Sequence, residues 1–253
     1  MLLHAASCRS CRSEVATYPT SKAPNFVPMS PTPLRTWDFK ETALVALITY
    51  AVYGLTSWFV LAMHSGTDTA ALFQTYGAAY IAASALPIVV LWIAIRLAHR
   101  DFAEYLALNW PSSSELLRAL VVTAILLSIE VLTLSVFEPA VTWSNPYIDA
   151  NWGLLTLLIG CCIAVPVMEE FVVRGFMFRG WSQSILGPVG AIVLSSIVWA
   201  AVHTQYDFLH QFWIFVSGLT LGYFRWSSNS TWLTVMLHSA INMVIFFAMG
   251  LYP

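Results

Sequence analysis

The stretch VMEEFVVRGF, residues 167–176, places two carboxylates side by side and an arginine four residues after the second. On an α-helix, residues four apart share a face and adjacent ones sit about 100° apart. Glu170 therefore faces Arg174, and Glu169 points elsewhere. A buried Glu170 and Arg174 can neutralise each other, which a low-dielectric site demands of charge. Glu169 has no partner in its own helix and is a candidate general base. The plain structural alternative is that all three charges mark the end of a membrane helix and lie among headgroups.

Two later stretches weigh against that alternative. WAAVH sets Trp199 and His203 at i and i+4, and HSAIN sets His238 and Asn242 at the same spacing, so each pair shares one helical face. A single histidine in a membrane helix is more often a packing residue, and asparagine often serves as interhelical glue. Three apolar segments that each carry such groups are harder to explain by packing. Brought together, they supply a carboxylate to take a proton from water, an imidazole to share that water, and a His/Asn pair to donate hydrogen bonds to a developing oxyanion. That set suits hydrolysis of an amide without a covalent intermediate.

These side chains need helices to hold them, and the composition says where the helices run. Only 9% of the 253 residues are Asp, Glu, Lys or Arg, whereas 58% are hydrophobic and 11 are Trp, against about 25% charged in an ordinary soluble domain. The chain is expected to be an all-α, polytopic membrane bundle of about seven helices around a polar cavity. Apolar runs place spans near Thr42–Met63, Leu72–Leu97, Leu116–Phe137, Gly153–Gly180, Leu186–His203, Phe208–Phe224 and Thr231–Gly250. None shows the sustained polar face that a buried helix of a soluble protein would need.

All 11 basic residues fall on one side of that scheme. Arg9, Arg12, Lys22, Arg35 and Lys40 precede the first span; Arg96, Arg100 and Arg118 flank the loop from the second to the third; Arg174 and Arg179 end the fourth span, and Arg225 follows the sixth. The opposite loops, HSGTDT, EPAVTWSNPYIDAN and HTQYD, contain none. Positive loops stay cytoplasmic, so the N-terminus is expected inside and the C-terminus outside, in the plasma membrane. The net charge of −2 says little about partners, and for a membrane bundle no nucleic-acid partner is expected.

Residues 1–36, rich in proline and basic residues, read as a disordered, dispensable or targeting tail, and residues 37–253 as the transmembrane domain. Cys8 and Cys11 form a lone CRSC, weak as a metal motif without a second pair. Cys161 and Cys162 read as small packing residues.

The order Glu-Glu-x-x-x-Arg, aromatic-x-x-x-His, His-x-x-x-Asn across the last four spans resembles the CAAX-processing and bacteriocin-processing (CPBP) intramembrane protease family, over about residues 154–247. The resemblance implies that Glu169 activates water together with His203 and that His238 and Asn242 form the oxyanion site. Glu170, Arg174 and Trp199 would be supporting residues, Trp199 standing where the family usually has Phe. It further implies an endopeptidase acting on a membrane-associated protein or peptide, prenylated or not, within the bilayer. Glu169, His203 and His238 are chemically adequate zinc ligands, but no HExxH spacing occurs, and no metal or other cofactor is expected. The fourth helix must then be long, with Glu169 near mid-length and Pro166 bending it.

Two other functions compete. Glu130, in LLSIEVLTL of the third span, is an intramembrane acid that a proton-coupled transporter would use with His203 and His238, although no inverted repeat accompanies it. A noncatalytic membrane scaffold or immunity protein would use the same charges only to hold helices together.

Overall fold

A computed structural model describes residues 37–63, 69–137 and 151–248. The expected tail 1–36 with Cys8 and Cys11, and the loops 64–68 and 138–150, lie outside them.

The described residues form an all-helical bundle. Its elements are α1 (Phe39–Ala62), α2 (Thr69–Leu97), α3 (Phe102–Tyr105), α4 (Ser113–Phe137), α5 (Asn151–Ile159), α6 (Val165–Glu170), α7 (Phe178–Ser182), α8 (Gly187–Ala201), α9 (Phe208–Ser228) and α10 (Thr231–Ala248). α5 to α7 are one unbroken helical run, interrupted by two π-helical stretches at Gly160–Ala164 and Phe171–Met177. Counting that run once, seven long helices match the seven expected spans, and α3 is an additional single turn.

Among the described residues four helices are long and apolar enough to cross a membrane: Phe39–Ala62, Thr75–Leu97, Ser113–Phe137 and Leu154–Ser182. α8 and α10 are apolar but shorter. At about 1.5 Å per residue, α8 spans roughly 22 Å, less than the roughly 30 Å hydrocarbon thickness. Its last turn brings Trp199 to Glu169, and His203 lies two residues past its end.

One end of the bundle is stitched by hydrogen bonds. α1 starts with a capping box, Asp38 accepting from Glu41 N and Glu41 Oε2 from Asp38 N. Trp181 Nε1 donates to Phe39 O at 3.2 Å, and Arg179 donates to the carbonyl of Glu104 at 3.1 Å. The segment after α3 caps α10: Ala107 O accepts from Thr231 N, and Asn109 Nδ2 donates to Asn229 O. Asn229 turns the chain at φ 50°.

Close approach is bought with glycine at two contacts. A Cβ on Gly77 of α2 would lie 2.4 Å from the Thr156 backbone of α5, and one on Gly218 of α9 would lie 2.9 Å from Ser196 Cβ and 3.2 Å from the Trp199 ring. Small residues let membrane helices pack this tightly, and the second contact presses α9 against the face of α8 that carries Trp199.

Two arginines assigned by sequence to cytoplasmic flanks have another place. Arg174 and Arg225 are 1% and 3% exposed and bind partners inside the protein, so they hold helices together and carry no information on orientation. Arg225 Nε donates to the Arg174 carbonyl at 3.0 Å and its NH1 to Asn229 Oδ1 at 3.1 Å.

Candidate active site

The two motif carboxylates sit in α6, a short α-helical piece between the two π stretches. The first stretch has a local cause. Val165 N–H bonds Gly160 O, one residue beyond the α register, so it does not serve Cys161 O. In the same wide register Cys161 O would be the partner of residue 166, and Pro166 has no N–H. The orphaned carbonyl is served from another helix: Asn242 Nδ2 donates to Cys161 O at 2.8 Å. The expected bend at Pro166 thus takes the form of a π-turn whose spare carbonyl α10 satisfies. In the second stretch Phe178 N–H bonds Val173 O, and the Arg174 carbonyl is taken by Arg225. Such π segments recur where helices carry functional groups.

The adjacent carboxylates have separate partners. Arg174 NH1 donates to Glu170 Oε1 at 2.9 Å, as their spacing predicts, and His238 Nδ1 lies 2.9 Å from the same oxygen. Arg174 NH2 also donates to Gly218 O at 3.3 Å. The Arg174 guanidinium lies 4.3 Å from the centroid of the Trp199 ring, and the indole Nε1–H of that ring donates to Glu169 Oε2 at 2.6 Å. All five side chains of this chain of contacts are buried. The motif charges are therefore inside the bundle, which removes the headgroup alternative.

The two histidines have their proton positions constrained by their partners. His203 lies two residues past the end of α8, and its Nδ1 is 2.7 Å from Trp199 O. A carbonyl oxygen only accepts, so Nδ1 carries the proton and a neutral His203 presents an Nε2 lone pair. Gln211 Nε2 donates to His203 O at 3.1 Å and anchors the turn. His238 Nδ1 likewise donates to Glu170, leaving its Nε2 for other work. Donation from that Nε2 requires the imidazolium, for which Glu170 is the adjacent counter-charge.

Glu169, Trp199, His203, His238 and Asn242 line one cavity of about 180 Å³. Glu170 and Arg174 stand behind this wall. Tyr53 of α1, Tyr80 of α2 and Glu130 of α4 also line the cavity, as do Gln205, Tyr206 and His210 from the α8–α9 turn and the first turn of α9. The sequence reading took Glu130 only as a sign of transport and passed over the other five. Their one signal is a polar atom on an otherwise apolar helix or beside a motif histidine. Burial raises the Tyr206 hydroxyl above its ordinary pKa, reinforced by the Glu169 charge, so it stays a hydrogen-bonding phenol. Among the described residues no group of three or more His, Cys, Asp or Glu side chains is placed to hold a metal ion.

Residues 151–244 match the Rce1-like family, described as type II CAAX prenyl endopeptidases. The likeness over this segment is to CAAX proteases. The matched range contains every motif residue named above and begins with the π-interrupted helix. No curated protein and no solved structure matches the chain. The likeness to that endopeptidase family and the apolar helices before the matched segment support an integral membrane protein.

Proposed function

We propose that the protein is an intramembrane endopeptidase that hydrolyses a peptide bond of a membrane-associated, prenylated protein by means of a glutamate-activated water, without a metal. The observation that carries this reading is Glu169, fixed through one carboxylate oxygen by Trp199 in a cavity that His203, His238 and Asn242 also line. Its second oxygen is the one left to face a water.

The chemistry follows from these groups. Water held between Glu169 and the Nε2 lone pair of His203 gives a proton to Glu169 as its oxygen bonds to the scissile carbonyl carbon. The carbonyl oxygen becomes an oxyanion, received by His238 Nε2–H and by the Asn242 N–H that Cys161 does not use. As the intermediate collapses the C–N bond breaks, and Glu169 returns its proton to the leaving nitrogen. Glu170 is the counter-charge of the His238 imidazolium, and Arg174 holds Glu170 and the Trp199 ring in place. The basic residues Lys40, Arg96, Arg100, Arg118 and Arg179 mark the cytoplasmic end, and the plasma membrane is the proposed site.

The test is cleavage of prenylated and unprenylated membrane peptides by purified wild-type and Glu169→Ala protein in vesicles, beside proton-driven uptake. Cleavage by the wild type alone supports the reading. Uptake without cleavage overturns it in favour of transport.

A further inference from the structure

The cavity holds a second acid that this hydrolysis leaves unused. Glu130 of α4 lines it from outside residues 151–244. Among the described residues no lysine or arginine lines the cavity: Arg174 is spent on Glu170 and Gly218, Arg179 on the Glu104 carbonyl and Arg225 on the Arg174 carbonyl. The lining groups able to carry positive charge are three histidines, and each has its Nδ1 engaged, His203 with Trp199 O, His238 with Glu170 and His210 with Asp207 Oδ2 at 2.9 Å. Among the described residues no hydrogen bond or ion pair is formed by Glu130, and His210 is its charged neighbour across the cavity lining.

An acid at membrane depth is costly unless it is paired or used. The cavity also has apolar lining from Leu134, one turn along α4 from Glu130, Ile214 of α9 and Ile245 of α10. A cavity lined by both apolar side chains and a carboxyl group suits an aliphatic stem that ends in a cation, the shape of lysine or arginine. The volume of about 180 Å³ is below the roughly 300–1,000 Å³ of a site for a drug-sized ligand, so it admits a short stretch of extended peptide with one or two side chains.

We propose that Glu130 is a specificity subsite, taking a lysine or arginine side chain of the substrate close to the scissile bond. This rests on the endopeptidase reading and adds the substrate class to it. A cationic substrate side chain supplies a permanent counter-charge where the protein offers only the titratable His210, and an apolar or acidic residue at that position supplies none.

The experiment uses full-length protein in vesicles and peptides that differ at one position, scanned across the scissile bond, as Lys, Leu or Glu. The readout is the ratio of kcat/KM for Lys over Leu within each variant. The wild type is expected to prefer Lys at one position at least tenfold, Glu130→Gln to bring that ratio near one, and Glu130→Lys to prefer Glu there. No preference in the wild type, or the same preference in Glu130→Gln, overturns the subsite, as does a proportional loss on all peptides. Peptide binding to Glu169→Gln protein, with and without Glu130→Gln, reads the subsite without turnover. If the wild type cleaves nothing, the endopeptidase reading fails, and tighter Lys-peptide binding that needs Glu130 still decides the subsite.

Discussion

The indole nitrogen of Trp199 and the carboxylate of Glu169 are joined by a hydrogen bond of 2.6 Å between two buried side chains from α8 and α6. The same indole covers the Arg174 guanidinium, so one ring links the base to the ion pair behind it. Trp199→Phe keeps an aromatic wall and removes the donor. A hydrogen bond to a charged group contributes about 1.5–3 kcal/mol, of which the part that differs between ground and transition state reaches the rate. Steady-state kinetics should show kcat lower by about tenfold with KM little changed.

Glu169→Gln and Glu170→Gln should separate. The first removes the base and leaves the shape, so cleavage is abolished and thermal unfolding is close to wild type. The second leaves Arg174 buried beside a neutral amide and weakens the anchor of His238. Breaking a buried pair from one side costs about 3–5 kcal/mol, so both melting temperature and activity should fall. Equal activity losses at unchanged melting temperature would contradict the division.

Asn242→Ala should lower kcat by about a hundredfold through the lost oxyanion donor, with peptide binding retained. It should also lower stability by about 1 kcal/mol, because the Cys161 carbonyl loses its donor. Pro166→Ala restores an N–H beside that carbonyl. In a double-mutant cycle it should offset the stability loss of Asn242→Ala and leave the rate loss in place.

Glycine replacements report helix approach. Gly218→Ala puts a methyl group 2.9 Å from Ser196 Cβ and 3.2 Å from the Trp199 ring; overpacking of this kind costs about 1–3 kcal/mol, and displacing Trp199 should reduce cleavage. Gly54 of α1 has nothing within 4 Å of its added Cβ, so Gly54→Ala should stabilise by up to about 1 kcal/mol through helix propensity with activity unchanged. Thermal unfolding and cleavage of the two variants, side by side, check this.

Metal removal should have no effect. Exhaustive treatment with a chelator followed by assay in metal-free buffer is expected to leave kcat at the untreated value. A loss that zinc restores would contradict the metal-free mechanism.

The sequence determined what depends on composition and local spacing. Too few charges for a soluble surface and seven long apolar runs made the membrane bundle legible, because the bilayer admits little else at that composition. The i,i+4 rule brought Glu170 to Arg174, and the motif order marked the segment that matches the CAAX protease family. Tertiary structure decided the rest, because helix periodicity fixes which residues share a face but says nothing of which helix that face meets. The partner of Glu169 came from α8, 30 residues away. His238, read only as an oxyanion donor, also braces Glu170 from α10, and Asn242 serves a carbonyl that Pro166 and a π-turn orphaned in another helix. Glu130, Tyr53 and Tyr80 became cavity residues only when α4, α1 and α2 closed around the motif helices, since a polar atom in an apolar run has no visible use until packing supplies its neighbours.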